Sequence, residues 1–131
     1  MLTHVTLGTD DPARAFAFYD ALLAPLGVVR VEGGADAGFA GWAREPDATP
    51  QFWVLIPFDG RPAAVGNGLT VGFEAATRPE VDAFHARALS LGARDEGPPG
   101  LRAHYHPDYY GAYVRDLDGH KLCCACHHPP A

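Results

Sequence analysis

The chain has 131 residues, with 10 Lys+Arg against 16 Asp+Glu and a formal net charge of −6; 47% of it is hydrophobic and 20% charged. That composition suits a folded globular protein, either one domain or two half-domains sharing a core, and argues against disorder. The acidic balance, with Lys121 the only lysine, excludes a dedicated nucleic-acid binder, and no apolar run reaches the length of about 20 residues that a membrane span needs.

The start, Met1-Leu2-Thr3-His4, runs into a strand without the charged and apolar regions of a signal peptide, which points to the cytoplasm. In His4-Val5-Thr6-Leu7-Gly8, Val5 and Leu7 face one way and His4, Thr6 and Gly8 the other. Asp10-Asp11-Pro12 then supplies a capping carboxylate and a first-turn proline. A helix is predicted from Ala13 to Ala24, with Phe16, Tyr19 and Leu23 on its stripe and Ala15, Phe18 and Leu22 beside it. Gly27 stops it.

Three strands are predicted next, over Val28–Glu32, Gly38–Arg44 and Gln51–Phe58. Turns at Gly33-Gly34-Ala35-Asp36 and Glu45-Pro46-Asp47 separate them. In the third, Phe52, Val54, Ile56 and Phe58 share the parity expected under the helix, which puts Gln51, Trp53 and Leu55 on the other face. Residues 59–68, rich in Gly, Pro, Asn and Ala, read as a linker.

The pattern then begins again. Leu69, Val71 and Phe73 form one parity, and Thr70, Gly72 and Glu74 the other. Thr77 caps a helix running to about Leu91, with Val81, Phe84, Ala88 and Leu91 buried. His4 to Phe18 and Thr70 to Phe84 both span 14 positions, the mark of two copies of one unit. Ala93 to Asp108 is broken by Gly97-Pro98-Pro99-Gly100, and Ala103–Pro107 reads as either strand or loop. Tyr109–Arg115 and His120–His127 are predicted strands joined by a turn at Asp116-Leu117-Asp118-Gly119, and His128-Pro129-Pro130-Ala131 is a frayed tail.

The fold class is therefore α+β, two βαβββ units (1–58 and 69–131) forming paired curved sheets around a cup, helices on the convex side. By parity the cup residues include His4, Thr6, Trp53, Thr70, Gly72, Lys121, Cys123 and Ala125. Cys123, Cys124 and Cys126 stand too close together to bridge one another easily and fit a reducing compartment. Cys124 and Cys126 share the parity of Leu122 and are expected to be buried under a helix.

With its opening His-Val-Thr-Leu, the helix carrying Phe18-Tyr19, and the turn Asp116-Leu117-Asp118-Gly119-His120-Lys121-Leu122, the whole chain resembles the vicinal oxygen chelate superfamily. That superfamily includes glyoxalase I, bleomycin- and fosfomycin-resistance proteins and extradiol dioxygenases. Tyr105-His106-Pro107-Asp108-Tyr109-Tyr110-Gly111 is similar to a glyoxalase-like subgroup of undefined reaction. The resemblance implies a small-molecule ligand, a homodimer and, in metal-dependent members, one divalent ion in the cup. Its four ligand positions fall on His4, approximately Trp53, Thr70 and Cys123, of which His4 alone is of the usual His or Glu type.

The candidate site residues are His4 as acid–base group or metal ligand, and Cys123 as nucleophile or soft-metal ligand, with Lys121 on its face. Trp53 and Tyr113 would wall a flat or apolar ligand, with Thr70 beside them. His104 and His106 share a face if their stretch is extended and would then bind a metal or form a polar rim; a loop held by Pro107 is the alternative. Glu74 is the acid on the cup parity, and His127 and His128 could form a surface site. The leading expectation is a glyoxalase/bleomycin-resistance-like small-molecule-binding protein with a degenerate metal site, its catalytic status open. The alternatives are a metal-dependent lyase, isomerase or dioxygenase using His4, His104 or His106 and Cys123, and a sequestering protein without turnover.

Overall fold

The computed structural model describes residues 1–44 and 49–131; the turn expected at Glu45-Pro46-Asp47 lies outside the described residues. Two compact units, Met1–Asn67 and Gly68–Ala131, each follow the order strand, helix, three strands. The first comprises β1 (Val5–Gly8), α1 (Pro12–Leu23), β2 (Val29–Gly34), β3 (Phe39–Ala43) and β4 (Phe52–Leu55). The second comprises β5 (Thr70–Glu74), α2 (Arg78–Ser90), β6 (Arg94–Leu101), β7 (Tyr110–Arg115) and β8 (Lys121–Cys126). The sheets have the orders β1-β4-β3-β2 and β5-β8-β7-β6, each with one parallel pair between its first and last strand. The class is α+β, as the sequence predicts.

In the first unit Asp11 caps α1 by accepting from the Arg14 N–H at 3.2 Å, and Pro12 opens the helix where its missing donor costs nothing. The predicted stripe is the core: Ala15, Phe16, Phe18, Tyr19, Leu22 and Leu23 are all buried. Tyr19 meets Phe52 on β4 at 4.9 Å between ring centres, and Phe16 meets Trp42 on β3 at 5.8 Å. Each such buried side chain contributes roughly 1.5–3 kcal/mol of apolar transfer. Trp42 is fully buried, and its indole N–H donates to Asp20 Oδ1 at 3.1 Å, an oxygen that also accepts from Arg30 Nε. The third predicted strand is shorter than Gln51–Phe58: it ends at Leu55, ahead of Pro57 and a turn closed by Gly60 N–H to Pro57 O. Ile56 and Phe58 are accordingly exposed, at 46% and 105%, and do not pack under the helix. At the other end, β2 continues through Gly33 and Gly34, and the expected turn is instead a short 3₁₀ helix, Ala35–Ala37.

In the second unit the Thr77 hydroxyl accepts from Glu80 N–H while the Glu80 carboxylate accepts from Ala76 N–H at 2.8 Å, so two orphan donors at the start of α2 are satisfied reciprocally. Val81, Phe84 and Ala88 are buried, whereas Leu91 lies past the helix end and is half-buried. Cys124 and Cys126 are buried at 0% and 1%, in line with Leu122. Gly97-Pro98-Pro99-Gly100 does not break the chain; it lies within β6, which accommodates it through register shifts against β7. β6 is the last strand of its sheet, so one side needs no donors, and a proline without an N–H is tolerated there.

Candidate functional site

Strand alternation puts Gly72 and Glu74 of β5 and Cys123 and Ala125 of β8 on the face of the second sheet opposite Leu122 and Cys124. These four residues line a cavity of about 180 Å³, room for about six waters' share of liquid volume. Phe73, Tyr109 and His127 complete its lining. Cys123 is the hub of the pairing: Gly72 is its partner on one side and Tyr113 on the other. A Cβ on Gly72 would stand 4.0 Å from the Cys123 Cβ, so the missing side chain leaves room beside Cys123, which is itself buried at 3% exposure.

Tyr109 lies in the loop before β7, and its ring folds back over the strand. It can do so because Gly111 has no side chain: a Cβ there would sit 2.8 Å from Tyr109 Cε1. The fold-back brings the Tyr109 hydroxyl to 2.8 Å from the Tyr113 hydroxyl and to 3.4 Å from Cys123 Sγ. Burial, followed by the hydrogen bond with Cys123, pushes the Tyr109 phenol well above its ordinary range. Tyr113 is raised as well, again chiefly by burial. Both phenols therefore keep their protons at neutral pH. The Tyr113 ring is also flanked by cations, with Lys121 Nζ at 5.3 Å and Arg102 Cζ at 5.7 Å from its centre.

The loop 102–109 is not extended, so His104 and His106 do not share a face. Arg102 pins its start by donating to the carbonyls of Gly100 and Pro98, and turns follow at Tyr105 and Tyr109. His104 packs on Tyr105 at 4.3 Å, while His106 turns to His127, its Nε2 being 2.8 Å from His127 Nδ1. The ring centres are 5.1 Å apart, so the two imidazoles meet nitrogen to nitrogen and not face over face. Asp108 N–H donates to His106 Nδ1 at 3.1 Å, which makes Nε2 the protonated nitrogen of a neutral His106 and the donor to His127. Arg78 ties this edge to α2: it forms an ion pair with Asp108 at 3.7 Å, donates to the His128 carbonyl and covers the Tyr110 ring at 5.3 Å.

Of the candidates read from sequence, Tyr113 and Cys123 come together directly, and His106 joins them through His127 and Tyr109. Thr70 begins β5 opposite Lys121, exposed and outside the cavity lining. His4 precedes β1, exposed, with Nδ1 2.8 Å from the Thr3 hydroxyl. Trp53 pairs with Thr6 on β1 and lies over Gly41 on β3. Both belong to the first unit, whereas every cavity-lining residue belongs to the second. His127, read from sequence as part of a surface site with His128, lines the cavity instead, as carrying the Cys123–Ala125 parity two residues further would have shown. Tyr109 is not among the sequence candidates; its signal is its place two residues before a glycine.

The chain thus carries two βαβββ units of the same topology, and in the second a cavity lies on the sheet face away from the helix. The sequence model of the Glyoxalase/Bleomycin resistance protein/Dioxygenase superfamily matches residues 1–124, and the chain belongs to that superfamily. A glyoxalase/bleomycin resistance protein from Albidiferax ferrireducens is similar over 98% of this chain and 99% of its own, with 37% identity and a TM-score of 0.82. The fold is shared with a glyoxalase-related enzyme from Fulvimarina pelagi (18% identity, 96% and 87% coverage, TM-score 0.71). It is shared too with a lactoylglutathione lyase from Agrobacterium tumefaciens (21% identity, 96% and 92% coverage, TM-score 0.67). A search of curated proteins finds no match.

The divalent ion implied by the family resemblance would draw its ligands from His4, Trp53, Thr70 and Cys123. Those residues do not fit it. An indole only donates, a threonine hydroxyl is a weak ligand, and one imidazole with one thiol falls short of the three protein ligands of a catalytic site. Among the described residues, no group of three or more His, Cys, Asp or Glu side chains is placed to hold a metal ion.

Proposed function

We propose that this chain is a small-molecule-binding member of the superfamily that takes its ligand in the cavity of the second unit, without a divalent ion on the family's ligand positions. The observation that carries the reading is the cavity's lining. Tyr109 and Ala125 offer an apolar wall, while Glu74, His127 and Cys123 offer polar contacts. Phe73 borders the cavity by its backbone, its ring being turned to Phe84 on the helix side. A flat or apolar body with one hydrogen-bonding edge fits such a surface.

The test is a titration of ¹⁵N-labelled protein with aromatic, thiol-conjugate and cationic compounds. Binding should shift the amides of Gly72, Glu74 and Ala125, and Gly72→Val, which fills the space beside Cys123, should abolish the response. Shifts confined to the first unit, or a full response in the Gly72→Val protein, would refute the assignment. The expected homodimer and cytoplasmic location belong to the same proposal. Each sheet ends in strands with a single neighbour in that sheet, β1 and β2 in one and β5 and β6 in the other, the kind of edge along which a second copy would pack. Light scattering on the purified chain measures the mass directly.

A further inference from the structure

We infer that Cys123 is the nucleophile of this cavity and captures soft electrophiles, α,β-unsaturated carbonyl compounds, as covalent thioethers. This deepens the binding proposal and rests on it. Three observations lead there. Cys123 lines the cavity, while Cys124 and Cys126 lie on the opposite face of β8. The Cys123 sulfur lies 3.4 Å from the phenolic oxygen of Tyr109, a residue of the same lining, and the Tyr113 phenol stands 2.8 Å from that oxygen. The electrostatic surroundings keep both phenols protonated, so they are available as donors whenever a thiol reacts.

A phenolic oxygen holds one proton and accepts two. Tyr109 can therefore accept from the Cys123 thiol and the Tyr113 hydroxyl together, and donate its own proton to a ligand's carbonyl oxygen. In the addition, the sulfur bonds to the β-carbon of the unsaturated carbonyl. The C=C π pair shifts toward the carbonyl, whose oxygen takes the Tyr109 proton. The thiol proton passes to the Tyr109 oxygen in the same movement. The resulting enol returns to the carbonyl form by moving that proton to the α-carbon. The net change is addition of S–H across C=C; no oxidant, reductant or metal is required. Carbonyl polarisation by a fixed donor and thiolate formation as the proton leaves both lower the barrier.

The full chain is treated with N-ethylmaleimide and, separately, with methyl vinyl ketone, and followed by intact mass and peptide mapping. One adduct on Cys123 is expected, with a rate that saturates in reagent concentration, as binding before reaction requires. Cys123→Ser should abolish it, and Tyr109→Phe should slow it at least about tenfold, a change of one 1.4 kcal/mol step in barrier. If Tyr109→Phe does not fold, Tyr113→Phe replaces it and should also slow the reaction. Labelling of Cys124 or Cys126 as fast as Cys123, a rate linear in reagent at the level of a free thiol, or an undiminished rate in the folded tyrosine variant would overturn the inference. Saturated N-ethylsuccinimide, titrated into Cys123→Ser, separates the two readings. Binding there with no adduct in the parent chain removes only the nucleophile, whereas absence of binding removes the cavity as the site.

Discussion

Trp53 and Cys123 occupy the same place in the two sheets. Each lies on the strand parallel to the first strand of its unit, opposite Thr6 and Gly72 respectively, and each faces its antiparallel neighbour, Gly41 or Tyr113. The bulk is distributed in opposite senses. In the first sheet a large indole lies across a glycine; in the second a small thiol sits between a glycine and a tyrosine. The exchange of large for small at one position fills the first row and opens the second, and the cavity is the result.

That contrast predicts different outcomes for the same substitution. In Gly41→Ala the new Cβ would stand 2.8 Å from both Pro50 Cβ and Trp53 Cζ3, so the indole must move. A loss of about 1–3 kcal/mol is expected from such overpacking. Gly72→Ala meets nothing closer than 4.0 Å and should stay within about 0.5 kcal/mol of the parent. Urea denaturation of the pair measures both.

The alkaline limb of stability should carry the signature of the tyrosine pair. Tyr109 and Tyr113 are raised by burial, and Tyr110 by its hydrogen bond to Asp82. A group raised in the folded state contributes stability fully present below its unfolded value of about 10 and lost as pH climbs through the folded one. Stability should therefore be level up to about pH 10 and fall above it. In Tyr109→Phe the fall should be shallower, because one raised phenol is gone. Absorbance titration of the phenolates combined with denaturation at each pH decides it.

Asp20→Ala should destabilise the first unit by about 1–3 kcal/mol, since it leaves the buried Trp42 N–H without its acceptor. Asp20→Asn, which keeps an acceptor oxygen, should lose less. Fluorescence-detected unfolding, sensitive to the Trp42 environment, is the measurement.

Asp95 is held below its ordinary carboxylate value, first by the hydrogen bond with His85 and then by Gly97 N–H. A depressed carboxylate contributes stability above its unfolded pKa and loses it as pH falls through the folded one. In His85→Ala the Asp95 midpoint should rise toward the ordinary value, with a correspondingly weaker dependence of stability on acid. An NMR titration of the Asp95 carboxyl carbon reads the shift; an unmoved midpoint would assign the depression to Gly97 alone.

Much of this architecture is legible because the sequence repeats a local code. The capped helices at Asp11 and Thr77, the stripe from Ala15 to Leu23 and the alternation of the β8 cysteines each depend on neighbours within a few residues. β6 was not legible. Gly97-Pro98-Pro99-Gly100 reads as a break because a proline in an interior strand would lose a ladder bond, and only the topology reveals that this strand is at an edge. The site was legible in half. Parity places Tyr113 and Cys123 on one face, but the return of Tyr109 over Gly111 depends on the turns of loop 102–109, which no periodicity encodes. The same turns separate His104 from His106 and deliver His106 to His127. The misfit of the metal positions was legible in the residues themselves, because of His4, Trp53, Thr70 and Cys123 only His4 is of the usual His or Glu type.

The alternation of cysteines along β8 also makes that strand a gauge of its own motions. All three thiols are buried, at 3%, 0% and 1% exposure, but Cys123 borders the cavity and reacts when the pocket admits a reagent, whereas Cys124 and Cys126 react only when β8 parts from α2. Thiol exchange measured residue by residue would thus report breathing of the pocket and opening of the core as separate free energies. No label or mutation is needed, because the wild-type chain carries both probes within four residues of one another.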